Sequence, residues 1–159
     1  MSSSSFEEDI LKFKRGDVVF SAGEASKHLY IVAKGQVQIF KENKNRLELI
    51  TVVNQKDFIG ELSLFEDKVR SATAIATRET ELIQIKKADV RRVVELCPDW
   101  VSEIITTLTD RLRHSINVLR EHRIDEDIEE ASKELNNQIL NQFMATVTEY
   151  RKRKGIKGL

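Results

Sequence analysis

The chain has 159 residues, 40% of them hydrophobic and 33% charged, with 26 Lys+Arg against 26 Asp+Glu for a formal net charge of zero. That length makes one domain of ordinary size with room for an appendage, able to bury about two thirds of its unfolded surface without staples. The charge balance exerts no overall pull on nucleic acid or on a membrane, so either partner would need a local patch.

The single cysteine, Cys97, excludes an internal disulfide and reads as a small packed hydrophobe. The opening MSSSSFEED has neither a basic n-region nor an apolar h-region. No apolar run approaches the roughly 18 residues that a bilayer span needs. The expected compartment is the cytoplasm, with no membrane span.

In chain order, SFEEDILKF predicts a short opening helix. Ser5 and Glu8 stand at capping-box spacing, and Phe6, Ile10 and Phe13 form its apolar side. Six short strand-like runs follow: DVVF, HLYIVA, GQVQIF, RLELITVV, SATAIAT and ELIQI. They are rich in Val, Ile and Thr and broken by turn-forming stretches, with KENKN a good hairpin tip. Many short strands at this spacing point to a sandwich or closed roll.

No glycine lies between Gly60 and Gly155, and the only proline is Pro98, so the back half reads as helical. Asp89 is placed to cap a first helix that stops at Pro98, and Asp99 to cap a second. In that second helix Val101, Ile105, Leu108, Leu112 and Leu119 keep a heptad stripe, with Ser115 in the one vacant position. Such a stripe pairs with another helix or packs on the roll. The phase breaks at His122. A new stripe runs from Ile124 through Ile128, Ala131, Leu135, Ile139, Phe143, Val147 and Tyr150, with Asp125 a possible cap. The tail reads as one long amphipathic helix, acidic first and ending YRKRKGIKGL.

The stretch GELSLFEDKVRSATA carries the chemistry. A helical turn starting at Glu61 would offer unpaired N–H groups to an anion, and Gly60 would let the main chain approach closely. Arg70 presents a planar fork suited to two phosphate oxygens. Glu61 can only accept, which suits ribose hydroxyls. Ser71 and Thr73, two apart on an outgoing strand, add hydroxyls on one face. The same residues also suit a simple Glu61–Arg70 ion pair that holds the loop, and the spacing alone leaves both readings open.

From about Ile10 to Leu119 the chain resembles the cyclic nucleotide-binding domain family, the sensor domain of catabolite-activator-type regulators. FKRGDVVFSAGEASKHLYIVAKGQVQIF resembles the family's opening strands, and DFIGELSLFEDKVRSATA its phosphate-binding cassette. The resemblance implies that Gly60, Glu61, Leu62, Arg70 and Ser71 hold a sugar-phosphate, Glu61 at the ribose hydroxyl and Arg70 with Ser71 at the cyclic phosphate. On the long helix, Arg111 and Ser115 match an arginine and a threonine near the base, while Ile116 replaces a serine. Val69 replaces a frequent proline.

The expectation is therefore an α+β protein: an antiparallel β-roll (jelly-roll) with a short N-terminal helix and long C-terminal helices. Residues 6–122 would form the binding domain and 123–159 a helical tail. The implied ligand is a cyclic nucleotide, cAMP ahead of cGMP, in a homodimer formed through the 99–122 helix, with the tail reaching a protein partner or changing assembly. The tail shows no sharp turn before a recognition helix, which disfavours sequence-specific DNA binding. His28, His114 and His122 lack metal-ligand spacing, and no catalytic set is visible, so neither metal nor enzyme is expected. The competing readings are an interaction module that has lost its ligand and a compact DNA-binding regulator.

Overall fold

A computed structural model of the protein describes residues 9–60, 68–122 and 126–157. Eight strands come first: β1 Asp9–Phe13, β2 Val18–Phe20, β3 His28–Lys34, β4 Val37–Asn43, β5 Arg46–Val53, β6 Phe58–Ile59, β7 Thr73–Ala76 and β8 Thr80–Lys86. Four helices follow: α1 Lys87–Glu95, α2 Asp99–His122, α3 Glu126–Glu134 and α4 Asn137–Lys154. The strands form two four-stranded antiparallel sheets, ordered β1-β8-β3-β6 and β2-β7-β4-β5. Val19, Phe20, Tyr30, Val32, Val37, Ile39, Ala74 and Leu82 fill the space between them. This is the expected α+β roll.

The KENKN tip closes as read. Asn43 faces Arg46, and Lys44 and Asn45 both hold positive φ, at 48° and 63°. A two-residue hairpin loop of that handedness matches the twist of its flanking strands.

The opening helix is corrected. Asp9–Phe13 is a strand, registered Asp9 to Gln84 through Phe13 to Thr80. Leu11 and Phe13 pack against the core while Ile10 stays 57% exposed, the alternation of a half-buried strand. Ser5, Phe6 and Glu8 lie outside the described residues. The α1 cap is corrected too: the helix begins at Lys87 with Lys86 as its N-cap, and Asp89 falls within the first turn. Cys97 is half-buried at the bend after α1, its thiol donating to the Val93 carbonyl.

The tail is two helices rather than one. Asn136 caps α4 with its side-chain oxygen, accepting from the Ile139 N–H at 2.9 Å. Its apolar stripe covers the outer face of the second sheet, where Phe143, Val147 and Tyr150 meet Val18, Phe40, Leu47 and Ile75. Arg151 adds a partly enclosed ion pair to Glu42 of β4 at 2.8 Å. The second sheet is thus buried on both faces, which is why VQIF of β4 and TAIA of β7 are buried throughout instead of alternating. Of the predicted tail residues, Ile124 and Asp125 lie outside the described residues.

Candidate functional site

Gly60 follows β6 with φ at 101°, a conformation costly for any residue with a Cβ. A Cβ built there would stand 3.0 Å from Arg70 Nη1 and 3.2 Å from the His28 carbonyl oxygen. Glycine therefore lets the main chain lie directly against the arginine fork. Arg70 is itself buried, with 6% exposure. Its Nη2 donates to the His28 carbonyl at 2.6 Å. The guanidinium carbon lies 4.1 Å from the centre of the Phe20 ring and 5.7 Å from that of Tyr30. A delocalised, weakly hydrated cation stacked on aromatic faces tolerates this enclosure better than an ammonium would.

The Arg70 backbone is held as firmly as its side chain. Its N–H donates to the Glu24 carbonyl at 2.7 Å, and its own carbonyl accepts from the Gly23 N–H at 2.8 Å. Ala25 and Val69 form an antiparallel bridge beside them. The turn after β2 thus clamps the segment that delivers the arginine.

The remaining predicted residues fall into separate places. Thr73 is 1% exposed in β7, and its Oγ1 accepts from the Ala22 N–H at 3.0 Å, so its hydroxyl fastens the same turn. Ser71 lies just before the strand and is exposed. Arg111 and Ser115 are exposed on α2, whose main packing partner is α1. Glu61 and Leu62 lie outside the described residues. Gly60 and Arg70 are therefore brought together, Thr73 fastens the turn that holds Arg70, and Arg111 and Ser115 are exposed on the long helix. Sequence reasoning missed Phe20, Tyr30 and the His28 carbonyl as the arginine's setting. Nothing local could have shown them, since strand pairing alone makes them neighbours.

The field around Arg70 reaches His28. Burial first, then the positive charges of Arg70, Lys86 and Lys27, hold the imidazole below its ordinary value of 6.5, with Asp9 opposing.

The antiparallel roll, with Arg70 buried against the Gly60 turn, defines a β-roll module. The chain belongs to the cyclic nucleotide-binding domain family: the model described as "Cyclic nucleotide-binding domain" matches residues 10–96, more than half of the chain. Among curated proteins it is 31% identical over 108 residues to the CRP-like cAMP-activated global transcriptional regulator of Mycobacterium tuberculosis. The match takes in 67% of this chain and 48% of that protein, so the chain spans about half the length of such relatives. Among solved structures, the cAMP-bound form of EAL enzyme Bd1971 aligns at TM-score 0.58 with 25% identity, over 69% of this chain and 30% of that one. Its cGMP-bound form aligns at 0.57 with 26% identity, over 66% and 28%. Among the described residues no helix is long and apolar enough to cross a membrane.

Proposed function

We propose that the protein is a cyclic-nucleotide-binding regulatory module, without enzymatic activity, that senses cAMP in preference to cGMP in the cytoplasm. The observation that carries this reading is the buried Arg70 fork lying against Gly60. Arg70 and Ser71 would meet the cyclic phosphate, and Glu61 the ribose hydroxyl. The base would approach α2 near Arg111 and Ser115. The preference for cAMP leans on relatives named as cAMP-activated; the Bd1971 forms carry either nucleotide.

Residues 6–122 would act as the binding domain, in a homodimer whose seam is α2. Leu108 and Leu112 of its stripe are 57% and 40% exposed, with Ile104 beside them at 49%. That apolar surface suits a second copy of the same helix. Ligand seated between roll and α2 would shift the population of α2 and tail arrangements. Residues 123–159 would be the output, reaching a partner protein or changing assembly.

One observation favours a second reading, a ligand-free interaction module: Arg70 already has the His28 carbonyl and two aromatic rings for company. Trp100, the chain's single tryptophan, is 60% exposed in the first turn of α2 and separates the two. Its fluorescence should change saturably as cAMP is added, and not in Arg70→Ala. Unchanged emission with cAMP and cGMP, together with no retained nucleotide in equilibrium dialysis, would favour the interaction module.

A further inference from the structure

The turn between Phe20 and Ala25 is held from two sides. On the cassette side, the Phe20 ring underlies the Arg70 guanidinium. The Ala22 N–H donates to Thr73 Oγ1, and Gly23 and Glu24 exchange backbone hydrogen bonds with Arg70. On the other side stands the tail. The Tyr150 hydroxyl donates to the Glu24 carboxylate, 2.9 Å from one oxygen and 3.2 Å from the other. Just past α4, the Lys157 carbonyl lies so close that a Cβ on Gly23 would stand 2.9 Å from it. The Glu24 carboxylate also closes its own turn, accepting from the Ser21 N–H at 3.1 Å. Tyr150 is 7% exposed, and burial, then Glu24, hold its phenol well above the ordinary range, so it remains a donor.

We propose that Tyr150 and Glu24 are positioning residues for Arg70: the tail docked on the outer sheet fixes the 20–25 turn, and through that turn the arginine that binds the nucleotide. The proposal rests on the reading of Arg70 given above and deepens it by naming the contact that sets the arginine's affinity. The turn touches both the tail and Arg70, and it grips Arg70 at both backbone groups and at the side chain. Releasing Tyr150 frees the carboxylate that folds the turn, and the ring and carbonyl that locate Arg70 move with it. Linkage makes the effect reciprocal: whatever docking contributes to nucleotide affinity, nucleotide returns to docking. Helix α4 would then be both the cover of the sheet and the element that reports the site.

The test uses the full chain and Tyr150→Phe, which keeps the ring and deletes only the donor. Without nucleotide, amide hydrogen exchange at Gly23 and Arg70 should quicken about tenfold in the variant, the scale of losing a hydrogen bond to a charged group. Amides shared by β3 and β8 should not change. With cAMP, affinity should weaken by a similar factor. Glu24→Gln, which keeps an acceptor, should fall between, and Glu149→Gln on the exposed side of α4 should match wild type. Unaltered exchange at Gly23 and Arg70 would overturn the proposal, as would faster exchange with wild-type affinity. A wild-type chain that binds neither cAMP nor cGMP would instead remove the nucleotide reading, and control of Arg70 by the tail would then be judged on the nucleotide-free exchange alone.

Discussion

Phe40 of β4 and Phe143 of α4 meet edge to face, their ring centres 5.9 Å apart and their planes at 68°. The pair joins the tail to a roll that would otherwise end in an exposed apolar sheet. Phe40 is fully buried, and so is Val147 one turn along α4 from Phe143. Such a surface needs a cover, since apolar area left in water costs about 25 cal/mol per Å².

Phe143→Ala should therefore lower unfolding free energy by about 3–5 kcal/mol, the usual range for a buried phenylalanine. Urea denaturation followed by circular dichroism measures it. A loss under about 1 kcal/mol would show that the tail contributes little to the stability of the roll.

Gly60→Ala forces a methyl group into a positive-φ position 3.0 Å from Arg70 Nη1. The backbone strain alone costs about 1–3 kcal/mol. Because the neighbouring atom belongs to the arginine fork, nucleotide affinity should fall as well. Denaturation and titration of the same preparation separate the two effects. Wild-type affinity in the variant would detach Gly60 from the site.

Much of this was legible in the sequence, for identifiable reasons. Six strands announced themselves through Val, Ile and Thr runs between turn residues, and the Lys44–Asn45 turn through its polar tip. The first strand was misread because Phe6, Ile10 and Phe13 fall at helical spacing, while the pairing that decides the matter comes from β8, far along the chain. The regular steps of the tail's stripe concealed the break at Asn136, whose side chain caps α4. The setting of Arg70 was not readable, because Phe20 and Tyr30 reach it only through the fold.

His28 predicts a pH dependence. Its folded-state pKa is depressed by burial and by Arg70, so the folded chain takes up this proton less readily than the unfolded chain. The resulting stability is complete above the unfolded value of 6.5 and is lost as pH falls through the lower folded value. His28→Gln should flatten the stability profile in that acidic window. Bound phosphate would offset the Arg70 charge, so imidazole NMR titration should show the His28 pKa rising in the presence of nucleotide.

The exposed stripe of α2 predicts assembly. The wild-type chain should sediment as a dimer at micromolar concentration, and Leu108→Glu should dissociate it, since an unpaired charge buried at a seam costs about 3–5 kcal/mol. Equal sedimentation of the two would place any self-association elsewhere.

The most direct test of the central claim is calorimetric titration with cAMP and cGMP, wild type beside Arg70→Ala. The account predicts saturable micromolar or tighter binding of cAMP, weaker binding of cGMP, and loss of both in the variant. A wild-type chain that takes up neither nucleotide, with the variant merely less stable, would contradict it and leave Arg70 as a pin that holds the cassette to the roll.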